Sequence, residues 1–278
     1  MPEGGLNVEG CVSVVTGAAS GIGRAIAVAL GARDGRVVLA DVDADGLAEA
    51  VAAVEAAGGQ ALAHRTDVSL QTSWASLAEA TERAFGPAQL LVNNAGVMTR
   101  ADLDDSDDGD WTWTLGVNLL GVVEGVRTFL PQLRTHAPNA HIMNTGSMAG
   151  LAPRVDASAG AYSASKAAVV VYSEVLRQEL SGEGIGVTVL CPGTVSTGIF
   201  DAERNRPASL GEGHRVRVPV RGAQAMTADP VAVAVLDAIA TNEPFIFTHD
   251  DSRGRIEARF ARIADSLDAA DVRVDGGV

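Results

Sequence analysis

The sequence predicts an α/β protein, a doubly wound parallel sheet of about seven strands with helices on both faces. Three observations lead there. Short β-branched runs alternate along the chain with longer helical stretches. The runs are apolar throughout rather than every second residue, the pattern of strands buried on both faces. No linker, repeat or low-complexity tract divides the 278 residues, so residues 1–278 read as one domain of a length that fills a two-sided core.

Taken in order, residues 11–16 (Cys-Val-Ser-Val-Val-Thr) read as the first strand and 21–33 as the helix after it. Residues 36–41 form the next strand and 43–57 an Ala-rich helix, followed by a strand over 60–66 and a helix over 69–85. A strand at 89–93 precedes two helices, 110–116 and 118–135. Then come a strand at 141–145, a long helix at 161–181, a strand at 186–190 and a helix at 230–241. A short strand at 245–248 and a final helix at 252–267 close the pattern. The acidic stretch 102–110 reads as a solvated loop leading into a helix N-terminus, where carboxylates are favoured. It lacks the spacing and terminal Glu of a calcium loop.

Composition narrows the function. Hydrophobic residues make up 47% of the chain, yet no apolar run reaches the ~18 residues of a membrane span. The first residues carry no basic stretch followed by an apolar one, so the cytoplasm is the expected location. A formal charge of −14 argues against a nucleic-acid partner, which needs clustered positive charge. Cys11 and Cys191 lie in or beside apolar runs and read as buried reduced thiols; no further ligands stand close enough in sequence to make a metal site. Of 21 basic residues, 20 are Arg and one is Lys166. Lys is a compact charge that shares and shifts a proton where Arg does not, so Lys166 is a candidate for a chemical role.

The first strand runs into Thr16-Gly17-Ala18-Ala19-Ser20-Gly21-Ile22-Gly23, and a helix follows at once. Glycines there let the backbone turn sharply and approach a pyrophosphate at the free N–H groups of the helix end. Asp41 ends the second strand, 18 residues past Gly23, where a carboxylate can accept hydrogen bonds from an adenosine ribose in a Rossmann arrangement. It would repel the extra phosphate of NADP; Asp43 adds to that, and residues 40–46 hold no Arg or Lys. NAD is the expected cofactor and NADP the less favoured one. Asp41 could instead cap the next helix, a task open to Asp43.

Tyr162 and Lys166 are four apart in a helical segment and so share a face. A phenol titrates near ~10, too high for a base at neutral pH, and a neighbouring ammonium favours the phenolate. The pair can therefore supply a proton acceptor and a means of tuning it. Upstream, Ser147 follows a strand end, where ligand crevices form in such sheets, and its hydroxyl could hold a substrate oxygen.

With these motifs in view, the chain resembles the short-chain dehydrogenase/reductase family in its main soluble single-domain branch, over roughly residues 8–250. The turn 16–23 resembles the family's cofactor turn, Asp67-Val68 its adenine contact, and Asn93-Asn94-Ala95-Gly96 its sheet-supporting motif. The stretch 111–118 resembles the helix bearing a catalytic Asn, here Asn118. Ser147, Tyr162-Ser-Ala-Ser-Lys166 and Pro192-Gly193-Thr-Val-Ser-Thr197 match its catalytic Ser, active-site motif and nicotinamide loop. The resemblance implies that Tyr162 is the general base or acid, and that Lys166 lowers its pKa and binds the nicotinamide ribose. It further implies that Ser147 orients the substrate oxygen and that Asn118 holds a water in a relay ending at Lys166. Cofactor contacts would come from Gly17, Ser20, Gly21, Ile22, Gly23, Asp41, Asp67, Val68, Asn94, Ala95, Gly96, Tyr162, Lys166, Pro192, Gly193, Val195 and Thr197, with no metal needed.

Two departures stand out. The stretch between Ser147 and Tyr162 is longer than usual, with 153–160 as the insertion. The family's closing strand and Val-Asp-Gly-Gly are replaced by Phe245-Ile-Phe-Thr-His249 and another helix; Val274-Asp-Gly-Gly277 comes too late. Similar tails occur in a branch that includes aryl-alcohol oxidisers. The substrate lid, 198–225, is Arg-rich, with Arg204, Arg206, Arg215, Arg217, Arg221 and His214. It reads either as a site for an anionic group or as a solvated loop balanced by Asp201, Glu203 and Glu212. His249 reads as loop or interface packing, and His64, His136 and His141 as ordinary strand or loop residues.

The preferred function is NAD-dependent oxidation of a secondary alcohol to a ketone by reversible hydride transfer. The runner-up is an NADPH-dependent carbonyl or 3-oxoacyl reductase. A non-catalytic dinucleotide-sensing protein fits less well, because Asn118, Ser147, Tyr162 and Lys166 are all present. Expected partners are a small alcohol or ketone and further copies of the chain, as a tetramer or dimer, with neither membrane nor nucleic acid.

Overall fold

The computed structural model describes residues 5–154, 158–213, 225–249 and 252–275. The elements are β1 (Val12–Thr16), α1 (Gly21–Gly31), β2 (Arg36–Asp41), α2 (Ala44–Ala56), β3 (Gln60–Arg65), α3 (Gln71–Phe85) and β4 (Leu90–Asn93). They continue with α4 (Asp108–Leu115), α5 (Gly121–Arg134), β5 (His141–Thr145), α6 (Met148–Leu151), α7 (Gly160–Leu180) and β6 (Gly186–Cys191). The last are α8 (Ala228–Thr241), β7 (Phe245–Phe247) and α9 (Ser252–Asp275).

The seven strands form one parallel sheet in the order β3-β2-β1-β4-β5-β6-β7. Strand order reverses between β1 and β4, so their C-terminal ends open a crevice, the usual ligand site of such sheets. Neighbouring residues on a strand face opposite ways, and each face has its own core. Val15, Leu39 and Val92 pack with Ile26 and Leu30 of α1 and Val235 and Ile239 of α8. Val14, Val38 and Leu91 pack with Trp74, Leu77, Phe129 and Leu176 of α3, α5 and α7. Trp74 meets Phe129 edge-on at 6.2 Å between ring centroids, a geometry that adds about 1 kcal/mol to plain burial. Gly125 is required there, since a Cβ would stand 2.4 Å from Asn93 Oδ1 and 2.7 Å from the Trp74 ring.

Three local features differ from the sequence reading. The two helices expected over 110–116 and 118–135 are joined through a π-helical turn, Gly116–Leu120, which carries Asn118; such turns recur at functional sites. The short α6 was not expected, because four residues show no helical period. The final helix runs on past 267 to Asp275, since residues 268–275 contain no Gly or Pro stop and the first breaker is Gly276. Among the described residues, no helix is long and apolar enough to cross a membrane.

Candidate active site

The crevice at the strand ends is a cavity of about 540 Å³, within the usual range for small-molecule sites. At one end lies the glycine turn. Gly17 and Gly21 hold φ of +65° and +56°, the left-handed region that favours glycine. A Cβ on Gly17 would stand 2.8 Å from Ala95 Cα, and one on Gly23 would stand 2.2 Å from Gly17 O. The turn is therefore pressed against the end of β4. Ser20 N-caps α1 without a side-chain bond, and no acidic residue occupies the first turn. Its free N–H groups and positive dipole end suit an anion.

Asp41 lines the same cavity. Its Oδ2 accepts from Ala19 N at 3.1 Å and its Oδ1 from Asp43 N at 3.1 Å. Each oxygen keeps a further lone pair for a ligand hydroxyl. Capping of α2 falls to Asp43, which accepts from Gly46 N. Sequence reasoning overlooked Arg65, which strand pairing places opposite Asp41; it donates to Val42 O at 3.3 Å. Only the β2–β3 register reveals it.

The middle of the cavity is built by β4 and β5. Asn94 Nδ2 donates to Thr16 O at 3.0 Å, and the Asn94 and Ala95 amides donate to Thr16 Oγ1. Asn93 Nδ2 donates to Asn144 Oδ1 at 2.9 Å. These bonds tie the ends of β1, β4 and β5 together. Asp67 and Val68 line the cavity from the end of β3, with Asp67 Oδ1 accepting from Ser69. Pro192, Gly193, Val195 and Thr197 form the opposite wall. A Cβ on Gly21 would stand 2.8 Å from Thr197 Cγ2, so turn and wall nearly touch.

The other end holds Ser147, Tyr162 and Lys166, all buried. Ser147 N-caps α6 with its Oγ accepting from Ala149 N at 3.0 Å, and its hydroxyl acts on the Tyr162 phenol, drawing its pKa down. Lys166 Nζ donates to Thr145 O at 2.7 Å and stands 5.9 Å from the Tyr162 ring centroid. Burial pushes Lys166 down to about 8, with Cys191 opposing. Burial pushes the Tyr162 phenol up; the Ser147 hydrogen bond pulls it down and Cys191 adds to the rise. The Lys166 ammonium thus faces the ring of Tyr162 while its hydrogen bond goes to Thr145. Asn118 is fully buried and turned to the chain: Oδ1 accepts from Val97 N at 2.8 Å, while Nδ2 donates to Val97 O and Ser165 Oγ. A Cβ on Gly96 would stand 3.4 Å from both Asn118 Oδ1 and Lys166 Nζ, so the two flank one small space. Tyr172, the second tyrosine, packs against the core cluster that holds Trp74 and Phe129.

His249 bridges the nicotinamide-loop candidates. Its Nδ1 faces Gly193 N at 3.2 Å and its Nε2 faces Thr194 O at 3.1 Å. That places it as a brace for the loop. Of the arginines in 198–225, Arg206 is only 4% exposed and pairs with the fully buried Asp110 at 2.6 Å while lying over Trp113. It is a structural ion pair and not an open anion site, and Asp110 is not solvated as the acidic stretch suggested. Arg204 donates to Gly198 O and Asp201 O. His214, Arg215, Arg217 and Arg221 lie outside the described residues, as does part of the 153–160 insertion. Both cysteines are buried and free, with burial pushing Cys11 up to about 11 and Cys191 up to about 12.

The crevice runs from a glycine turn and Asp41 at one end to a Ser, Tyr and Lys cluster at the other, an arrangement expected of an oxidoreductase, and comparison with known proteins agrees on that class. A family model described as short chain dehydrogenase matches residues 11–208. The chain is 33% identical over 264 residues to the C alpha-dehydrogenase of Sphingobium sp., covering 92% of this chain and 86% of that protein. It is 31% identical to the 1-deoxy-11-beta-hydroxypentalenate dehydrogenase of Streptomyces exfoliatus, covering 92% and 89% of the two chains. Among solved structures it is similar to a short-chain dehydrogenase/reductase from Burkholderia phymatum in complex with NAD. That match has 40% identity and a TM-score of 0.87, covering 93% of this chain and 96% of that one. The chain belongs to the short-chain dehydrogenase/reductase family and is an oxidoreductase of that family.

Proposed function

We propose that the protein oxidises a secondary alcohol to a ketone with NAD as hydride acceptor, using Tyr162, Ser147, Lys166 and Asn118. The observation that carries the reading is one cavity joining the glycine turn and Asp41 at one end to Ser147, Tyr162 and Lys166 at the other. The glycine cradle, the uncapped α1 N-terminus and Asp41 fit a dinucleotide without an extra ribose phosphate. When bound, the oxidised nicotinamide supplies a hydride acceptor for the carbinol carbon. Ser147 holds the alcohol oxygen by a hydrogen bond. Tyr162 takes the hydroxyl proton at its phenolate oxygen and returns it when the reaction runs backwards. Lys166, still largely an ammonium at pH 7 with its pKa at about 8, stabilises that phenolate. Asn118 shapes the proton path beside Gly96. Further support comes from the relatives, two of which are named as dehydrogenases, and from the NAD complex of the similar structure. We place the protein in the cytoplasm as a homo-oligomer.

The test is Tyr162→Phe. It should lose at least ~100-fold in kcat, the contribution of a positioned acid–base group, while its affinity for NAD stays within about twofold of wild type. A variant that turns over normally removes Tyr162 from the mechanism.

A further inference from the structure

The C-terminal helix touches the site at a point the reaction needs. Arg255 and Arg259 lie four apart on α9 and so on one face. Arg255 Nη2 donates to Ala152 O, and Arg259 Nη1 donates to Leu151 O at 2.7 Å and Gly150 O at 3.3 Å. These are the last carbonyls of α6, groups that a helix end leaves without intrahelical partners. The residue at the other end of α6 is Ser147, its N-cap. On its far side α6 rests on α7: a Cβ on Gly150 would stand 2.6 Å from Lys166 C and Ala167 N. Met148 N is tied to Pro192 O at 3.1 Å.

We infer that α9 is a clamp that holds α6 against α7, and that Arg259 is a positioning residue that sets the Ser147 hydroxyl against Tyr162. Four residues cannot hold a helical turn alone, because helix nucleation is unfavourable and one turn brings few bonds. The guanidiniums supply what α6 lacks, with α7 as the anvil. The inference rests on the catalytic reading of Ser147 proposed above. Arg255 also lines the cavity, so its replacement would confound contact with positioning. Arg259 does not line it, which makes Arg259 the informative site.

Arg259→Ala and Arg259→Lys are compared with wild type by amide exchange, turnover and pH profile. In the Ala variant the amides of Ala149, Gly150 and Ala152, bonded to Ser147 and Met148, should exchange about tenfold faster, with the sheet amides unchanged. kcat for the best alcohol should fall about tenfold with KM for NAD unchanged, since misplaced reacting groups cost rate before binding. The pH limb of kcat/KM that reports the phenol should move upward, because Ser147 is the group drawing that phenol down. Among the described residues, the charged or titratable groups sharing the cavity or facing the phenol are Lys166, Cys191, His249, Asp41, Asp43, Asp67, Arg100, Arg154, Arg204 and Arg255. None is altered by the change. The Lys variant, keeping one donor, should recover part of each effect.

Unchanged exchange in 148–152 overturns the clamp. Faster exchange with unaltered kcat and pH limb leaves a purely structural contact and overturns the positioning role. A wild type inert towards every alcohol removes the role of Ser147, and the exchange data then decide on the clamp alone.

Discussion

Tyr162 is a buried phenol whose protonation is contested by its neighbours. Burial raises its pKa, the Ser147 hydroxyl lowers it, and the Lys166 ammonium sits above its ring without bonding its oxygen. Two variants separate these influences. Lys166→Arg should fold, since Arg can reach the Thr145 carbonyl, yet lose most activity at neutral pH. A guanidinium does not shift its proton and is bulkier than the ammonium it would replace in this buried position. Near-normal turnover in that variant, measured by nicotinamide absorbance, would end the tuning argument. At the other end of the cavity, Asp41→Ala should raise the ratio of NADP to NAD turnover by about tenfold or more, as specificity built on repulsion is lost with the repelling group. An unchanged ratio would move the discrimination elsewhere, with Arg65 the first residue to examine.

Elements were legible in the sequence where composition and period agreed. β1, β2 and β6 are apolar runs rich in β-branched residues, and α1, α2, α3 and α7 carry clear helical spacing; β3, Gln-Ala-Leu-Ala-His-Arg, has no β-branched residue and, at the edge of the sheet, is only partly buried. Their ends were found to within a few residues. The glycine turn, Asp41 and the Tyr162–Lys166 pair needed only one strand–turn–helix unit and one helix face, so they could be read locally. What escaped depends on contacts distant in sequence. Asp110 looked like one more carboxylate in an acidic loop; 96 residues later Arg206 converts it into half of a buried pair. Arg65 meets Asp41 only through strand register, and Arg259 meets α6 only through the docking of α9. The Asp110 pair offers a stability test. Asp110→Asn keeps the shape but removes the closest charge partner of Arg206, which retains Asp107 at 3.7 Å and Glu203 at 3.8 Å, so it should destabilise by about 2 kcal/mol. Denaturant unfolding would measure it, and a loss below about 0.5 kcal/mol would show that the other two carboxylates compensate Arg206 fully.

The whole molecule carries a built-in acid sensitivity in its sheet. His141, in β5, is 1% exposed and bonded through Nε2 to Thr188 Oγ1 at 2.8 Å. Burial, and then the charge on Arg177, push it from 6.5 down to about 3. The folded value lies below the unfolded one, so on acidification the unfolded chain takes up the proton first. The stability is complete above pH 6.5 and is lost as pH falls from there towards 3. The slope approaches about 1.4 kcal/mol per pH unit. His141→Gln, which can keep a hydrogen bond to Thr188 and does not titrate, should flatten the decline in Tm between pH 6.5 and 5, above the range where carboxylates titrate. An identical decline in both proteins would assign it to other groups.

At the same scale, the proposed function joins the two ends of the crevice: it lays a dinucleotide from Asp41 to Lys166 and sets an alcohol against Ser147 and Tyr162. The most direct test is nicotinamide absorbance with the purified protein, NAD or NADP, and a panel of aliphatic, aryl, steroid and hydroxyacyl secondary alcohols. Reduction of NAD by at least one alcohol, with little reduction of NADP, is the expected result. Turnover confined to NADP, or no turnover by a protein that NAD also fails to protect against heat, would contradict it.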